Sequence, residues 1–104
     1  MVTSAETDLI RVLADPLRLR IVTLLARETL CTTHLVEETG AKQTNLSNHL
    51  RVLREAGLVE TEPCGRYTYY KLLPQAIGIL AQSLATLAAD ARSTAETGRK
   101  RSCP

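Results

Sequence analysis

Residues 43–59 read QTNLSNHLRVLREAGLV, and this stretch decides the fold. Leu46, Leu50 and Leu53 recur at i, i+4 and i+7, which places them on one face of an amphipathic helix. Short polar side chains occupy the first turns of the other face, and Gly57 can end the helix. We therefore predict a helix that buries its leucines and presents amides and hydroxyls on its other side.

A shorter helix is predicted immediately upstream. Thr32 or Thr33 can cap its start, and it runs to about Thr39, with Gly40 ending it. Two short helices joined by a glycine-bearing turn make a helix-turn-helix.

Two further helices are predicted nearer the N-terminus. The first spans about residues 7–14, and the second begins at Pro16, where a missing N–H costs nothing, with Asp15 as its cap. We expect the second helix to bury an apolar stripe and to keep its arginines in solvent. The stripe is Leu17, Ile21, Leu24 and Leu25, and the arginines are Arg18, Arg20 and Arg27.

The sequence period changes after Gly57. Alternating side chains over 66–72, with Pro63, Cys64 and Gly65 as turn residues, predict a β-hairpin. A last helix is predicted over about 75–96, opened by a proline. Its apolar seam is Ile77, Leu80, Leu84, Leu87 and Ala91.

The predicted fold is mainly α with a small β-hairpin. It is a winged helix-turn-helix in which four helices, the fourth for recognition, precede the hairpin and a fifth helix. Residues 1–96 are predicted to form one domain, and residues 97–104 a flexible basic tail.

Composition and charge exclude several classes of protein. A net charge of +2 is too small to indicate nucleic-acid binding by itself, although residues 42–71 hold five basic and three acidic side chains.

No apolar run reaches membrane-spanning length and the N-terminus does not resemble a signal peptide, so we expect a cytoplasmic protein with reduced cysteines and no membrane partner. The chain offers no carboxylate pair in a plausible cleft, phosphate-binding glycine loop or activated nucleophile, and we predict that it is not an enzyme.

Three stretches resemble the ArsR/SmtB family of bacterial metal(loid)-responsive repressors. They are LADPLRLRIVTLL at 13–25, QTNLSNHLRVLREAGLV at 43–59 and GRYTYYKL at 65–72, within a resemblance over about residues 8–90. The resemblance, to an arsenical repressor of actinobacterial type, implies a homodimer that sits on operator DNA and leaves it when an ion binds. It also implies that the first and last helices form the dimer interface. The seam of the last helix suits that role, and the alternative is that it packs only on its own core.

The resemblance implies that the N-terminal end of the recognition helix enters the major groove of double-stranded DNA. Gln and Asn can bond adenine, and Thr can contact a thymine methyl group, whereas cations and the hairpin tip hold phosphates. A dimer would require an inverted repeat with half-sites about one helical turn apart. The alternative is an ordinary solvated helix face. The predicted DNA-binding residues are Lys42, Gln43, Thr44, Asn45, Ser47, Asn48, His49, Arg51, Arg66 and Tyr67.

Many relatives carry Leu-Cys-x-Cys-Asp-Leu at the start of the third helix, where thiolates hold arsenite or a heavy divalent ion. Residues 30–35 here read LCTTHL, so Thr33 replaces the second cysteine and His34 the acid. The last helix has no histidine, so the zinc-type site of other relatives is also missing. The predicted ion ligands are Cys31, Cys64 and Cys103, because soft thiolates suit soft ions such as trivalent arsenic.

The cysteines are not expected to meet easily within one chain. The resemblance implies that the strand near Leu30 pairs with Tyr69 or Tyr70, which would put Cys64 about 20 Å from Cys31. A site shared between two chains, with the tail cysteine as one ligand, therefore stays open. Each cysteine also has a plainer interpretation, as a small buried residue or an idle thiol. His34 either completes a metal site or is merely solvated.

Three functions follow from these observations. The leading one is a repressor released by arsenite, antimonite or another thiophilic ion, without an organic cofactor. The second is a winged-helix regulator switched by thiol oxidation or by another metal. The third, from a different class, is a protein-interaction module that never binds DNA.

Overall fold

The computed structural model describes residues 2–104, so Met1 of the predicted domain lies outside it, and this part of the chain forms five helices and three strands. The helices α1 to α5 span Ser4–Leu13, Pro16–Leu25, Thr32–Thr39, Gln43–Glu55 and Pro74–Thr97. The strands β1 to β3 span Leu30–Cys31, Val59–Cys64 and Tyr67–Leu72.

The predicted winged helix-turn-helix is confirmed. Helices α3 and α4 are joined by a turn in which Gly40 adopts φ +71°, a left-handed value that favours glycine. Strands β2 and β3 form the hairpin, and β1 adds a third, very short strand in the order β1-β3-β2. The pairing expected for the strand near Leu30 is also confirmed, since Leu30 lies opposite Tyr70 and Cys31 opposite Tyr69.

The core is built from aliphatic side chains of α2, α3, α4 and the first two strands, and partly buried side chains of α1, β3 and α5 pack against it. The three leucines that predicted α4 are 0–1% exposed, so the amphipathic pattern of that helix is confirmed. Burying each leucine contributes about 2 kcal/mol, which makes this face the main anchor of α4. The buried cluster consists of Ile21, Val22, Leu25, Leu30, Leu35, Leu46, Leu50, Leu53, Leu58 and Val59.

The start of α2 agrees with its predicted cap. Oδ1 of Asp15 accepts hydrogen bonds from the backbone N–H of Leu17 at 2.9 Å and of Arg18 at 3.0 Å. Pro16 occupies the first turn, as expected. The expectation that Arg18 faces solvent is wrong, because its side chain is half-buried and contacts both α1 and α4.

Two helices begin earlier than predicted. Helix α1 starts at Ser4, because Thr3 and Glu6 form a reciprocal capping box: the Glu6 N–H donates to Thr3 Oγ1 and the Thr3 N–H to Glu6 Oε2. Helix α3 starts at Thr32, so its cap position is Cys31 and not a threonine.

The turn of the hairpin also differs from the prediction. Pro63 and Cys64 belong to β2, where Cys64 lies opposite Tyr67. The two residues left for the turn are Gly65, with φ +63°, and Arg66. Two-residue hairpin turns require positive φ, and glycine supplies it at the lowest cost.

Helix α5 leaves the body of the molecule. Its 24 residues span about 36 Å, and the chain as a whole measures 63 × 22 × 22 Å. Ile77 packs against the core and Leu80 is buried, whereas Leu84 and Leu87 are 47% and 50% exposed. The seam therefore packs on its own domain at its beginning and is uncovered further along. Nowhere in residues 2–104 is a helix sufficiently long and apolar to cross a bilayer.

Candidate nucleic-acid interface

Helix α4 presents a polar edge that the described chain leaves uncovered. This edge begins at Lys42, the N-cap of α4, and follows the side of the helix opposite its buried leucines. Six further predicted DNA contacts on this edge are exposed, and none belongs to the core. They are Gln43, Thr44, Asn45, Ser47, Asn48 and Arg51.

The tip of the hairpin lies near the start of α4. Arg66 occupies the turn and is exposed, and the Tyr67 side chain that follows is 53% exposed. Both residues line a surface cleft of about 360 Å³ together with Gln43 and the first residues of α3. The structure thus brings the predicted wing residues and the first residue of α4 to the rim of one cleft.

The cations of this surface are available for phosphates. Among residues 2–104, the ion pairs join Arg11 to Asp8 and Lys71 to Glu62, and neither pair uses Lys42, Arg51 or Arg66. Guanidinium and ammonium groups that are not already neutralised can release counterions from DNA on binding.

His49 stands apart from the other predicted contacts. Its ring is half-buried, and its Nδ1 lies 3.3 Å from a terminal nitrogen of the Arg18 guanidinium. It faces α2, whereas the other predicted contacts on α4 are exposed.

Cys31 lies at the N-cap of α3 and is 4% exposed. Its backbone N–H donates a hydrogen bond of 3.1 Å to Nδ1 of His34. The His34 ring in turn meets Tyr69 edge to face, with ring centroids 5.9 Å apart. His34 is therefore a half-buried helix cap, and its interpretation as a merely solvated side chain is wrong.

Cys31 nevertheless borders open space. It lines the 360 Å³ cleft and also a neighbouring one of about 280 Å³, whose other lining residues include His34, Glu37 and Tyr69. A small thiophilic species in the larger cleft would lie against Cys31, beside the wing and the first residue of the recognition helix.

The other two cysteines are exposed and lie elsewhere. Cys31 faces Tyr69 across the sheet and Cys64 faces Tyr67, so two strand spacings and two residues separate their Cα atoms, about 12 Å. The sequence-based distance of about 20 Å is corrected by this register. The separation still exceeds the span of a disulfide, which is at most about 7 Å between Cα atoms. Within residues 2–104 no three His, Cys, Asp or Glu side chains converge on a possible metal position.

Sequence reasoning missed two polar positions that shape the domain. Glu6 is 6% exposed and accepts hydrogen bonds from Thr3 and from Ser83 on α5. The Thr-x-x-Glu spacing of a capping box was available as a signal for Glu6. The contact of Arg18 with His49 had no such local signal, because it joins residues 31 positions apart in the sequence.

Comparison with known proteins identifies the family. A profile described as bacterial regulatory protein, arsR family, matches residues 15–61. The chain is 34% identical over 101 residues to the arsenic resistance transcriptional regulator ArsR1 of Pseudomonas putida, a match covering 88% of this chain and 79% of that protein. It is 42% identical over 60 residues to a transcriptional repressor SmtB homologue of Synechocystis sp., covering 58% of this chain and 46% of that longer protein.

A solved structure agrees with these sequence matches. The ArsR-like transcriptional regulator from Rhodococcus sp. RHA1 superposes with a TM-score of 0.77 at 25% identity and covers 96% of both chains. The chain has the fold of that regulator along almost its whole length. It therefore belongs to the ArsR/SmtB family of bacterial transcriptional repressors, and it is a regulator and not an enzyme.

Proposed function

We propose that this chain is a homodimeric repressor that binds an inverted repeat in operator DNA and leaves it when cysteine thiolates bind a thiophilic ion. Arsenite and antimonite are the leading candidates for the ion, and the P. putida relative named for arsenic resistance supports that choice. The protein acts in the cytoplasm, where DNA is accessible and thiols stay reduced. Its single domain ends with α5, and the residues after it form a mobile basic tail.

The observation that carries this proposal is the polar edge of α4. A helix whose leucines are 0–1% exposed is held firmly by the core, while the polar side chains on its other side are exposed. A recognition helix needs this combination, because it has to reach base edges in the major groove without losing its support.

The roles of individual residues follow from their chemistry. Gln43 and Asn45 are suited to adenine, and Thr44 to a thymine methyl group. Ser47 and Asn48 extend the same polar edge. Phosphates are left to the cations and to the wing, which position the protein without reading sequence. These phosphate contacts are Lys42, Arg51, Arg66 and Tyr67.

The uncovered part of α5 supports the homodimer. Leu84 and Leu87, on the apolar seam of α5, are each about half exposed. A second copy of the same helix would bury both seams. Two α4 helices would then meet DNA about one helical turn apart, as an inverted repeat requires.

The inducer site is proposed to draw thiolates from two chains. Cys31 and Cys64 are about 12 Å apart in one chain, which is too far for one ion, whereas Cys103 follows α5 and its exposed seam. The position of Cys31 supports its involvement, because an ion there would lie beside Gln43 and the wing residues. Soft thiolates select soft ions, so hard cations such as Mg²⁺ are not expected to act.

The proposal is tested by selecting DNA from a random duplex library and titrating the enriched sequence at two salt concentrations. We expect an inverted repeat. Asn45→Ala should discriminate less well between bases, by about 1–3 kcal/mol, or about 5- to 150-fold. For Arg66→Gln, the slope of the logarithm of the binding constant against the logarithm of the salt concentration should be shallower by about 0.9 per lost phosphate contact.

Arg27→Gln provides the matched control, because Arg27 is exposed in the turn after α2, outside the α4–wing surface. It should leave both affinity and salt slope almost unchanged. Failure of the library to enrich any sequence at either salt concentration would favour the protein-interaction alternative instead.

A further inference from the structure

Arg18 connects three helices. Its backbone N–H donates to the Asp15 cap at 3.0 Å, which fixes it in the first turn of α2. Its Nε donates to the carbonyl oxygen of Val12 near the end of α1 at 2.7 Å. One terminal nitrogen of the same guanidinium lies 3.3 Å from Nδ1 of His49 on α4. The planar guanidinium therefore links α4 to the end of α1 and the start of α2.

The chemistry of the contact defines the state of the histidine. Arginine is always protonated and has no acceptor, so Nδ1 of His49 must accept the hydrogen bond. A nitrogen that accepts carries no proton. The histidine in this geometry is therefore neutral, with its proton on Nε2.

We propose that Arg18 and His49 form a positioning pair that holds α4 in its DNA-binding orientation, and that protonation of His49 releases this hold. A proton on Nδ1 removes the acceptor and places a second cation 3.3 Å from the guanidinium. The charged side chains that face the ring are Arg18 and Asp15, both from the start of α2. Oδ1 of Asp15 is engaged as the helix cap, and the attraction of its charge for a protonated His49 acts against this release without restoring the hydrogen bond to Arg18.

This inference rests on the proposed operator binding. It predicts a change of DNA affinity with pH that is opposite in sign to the change expected if His49 contacted a phosphate. If His49 held a DNA phosphate, protonation would add a positive charge and tighten binding at low pH. As a member of the positioning pair, it should instead weaken binding at low pH, although it touches no DNA.

The experiment compares operator affinity at pH about 8 and about 5.5, the range in which histidine side chains usually titrate, at fixed ionic strength. The wild-type protein should lose about tenfold more affinity over this range than His49→Gln, because one charge-assisted hydrogen bond is lost. The glutamine amide oxygen can accept from Arg18 and does not titrate. The chain has only two histidines, so His34 contributes equally to both profiles.

Two further measurements keep the test independent of folding and of the DNA. Arg18→Gln should weaken binding at pH about 8 and abolish the difference between the histidine and glutamine profiles. In the free protein, nitrogen chemical shifts should report the Nε2–H tautomer of His49 at high pH, and melting curves should show that the variants remain folded.

The outcomes are distinguishable. Tighter wild-type binding at low pH, identical profiles for wild type and His49→Gln, or an Nδ1–H tautomer would each overturn the positioning pair while leaving operator binding intact. Wild-type protein that binds no DNA at any pH would overturn the proposed function, and the positioning role with it.

Discussion

The hydroxyl group of Ser83 lies 2.9 Å from Oε1 and 3.0 Å from Oε2 of Glu6, a residue 77 positions earlier in the chain. Glu6 is 6% exposed, and its carboxylate also accepts from the backbone N–H of Thr3. This contact joins α1 to α5, the two helices that the family resemblance assigns to the dimer interface. A buried carboxylate is tolerated there because its acceptors are paired.

Removing the hydroxyl should therefore destabilise the domain. We expect Ser83→Ala to lower the free energy of unfolding by about 1–3 kcal/mol, since it leaves a buried carboxylate with fewer donors. Denaturant titration measures the change. Thr86→Ala is the control, because the Thr86 hydroxyl is exposed and bonds only within α5, to the Gln82 carbonyl. Equal losses for the two variants would show that the contact with Glu6 contributes nothing specific.

The seam of α5 gives a prediction about association. Leu84→Asp should raise the dimer dissociation constant about a hundredfold or more, because an unpaired carboxylate buried in an apolar interface costs several kcal/mol. Sedimentation velocity over a concentration series measures this constant. Gln82→Asp adds the same charge on another side of the helix and should leave the dimer intact. A wild-type chain that stays monomeric at high concentration would contradict the proposed dimer.

The cysteines give a prediction about release from DNA. Cys31→Ser should bind operator normally without ion and fail to leave it when arsenite is added under strong reductant without oxidant. Release by an oxidant alone would favour the redox alternative. If each of the three single Cys→Ser variants is released normally, the thiol sensor is wrong.

Mixed dimers test whether the ion site crosses the interface. Cys31→Ser and Cys103→Ser chains should each be unresponsive alone. In a mixed dimer, one of the two sites would still combine Cys31 of one chain with Cys103 of the other, so arsenite binding should recover to about half of the wild-type stoichiometry. A site contained within one chain would not recover, because every chain in the mixture carries a lesion.

The cap of α2 gives a prediction about acid stability. The Arg18 backbone N–H has the largest effect and lowers the pKa of the Asp15 carboxyl below its usual value of 3.8. Burial opposes this shift, and the nearby His49, the Leu17 N–H and the Arg18 charge add to it. A lowered pKa in the folded state means that the ionised cap stabilises the fold above the usual value. That stability is lost as the pH falls through the lowered one.

Asp15→Asn keeps a capping oxygen but cannot ionise, so its stability should fall less steeply below pH about 4. Asp15→Ala loses the cap itself and should melt at a lower temperature even at neutral pH. Thermal unfolding followed between pH about 3 and 7 measures both effects. Parallel acid profiles for wild type and Asp15→Asn would show that the charge of this cap does not contribute.

Local sequence rules predicted much of the fold. The period of the leucines in α4, the Asp-Pro start of α2 and the positive φ at Gly40 are decided within a few residues, so periodicity and capping chemistry identify them. The boundaries of the elements were predicted less accurately. The N-cap of α3 is Cys31, whose backbone N–H donates to the ring of His34, and histidine is not a usual capping partner. The hairpin turn consists of Gly65 and Arg66, because Pro63 and Cys64, which were predicted to belong to the turn, pair with β3.

The sequence by itself thus determined the order of elements, the buried and polar sides of the recognition helix, and the family. Only the tertiary structure decided that His49 faces Arg18 and that Glu6 is buried against Ser83. It also decided that Cys31 and Cys64 lie on the two strands flanking β3, offset by two residues. The physical reason is the separation along the sequence of the residues that interact. A helix face repeats every few residues, so the local sequence determines it. The contacts of His49 with Arg18 and of Glu6 with Ser83 join positions 31 and 77 residues apart, and they exist only after the core has packed.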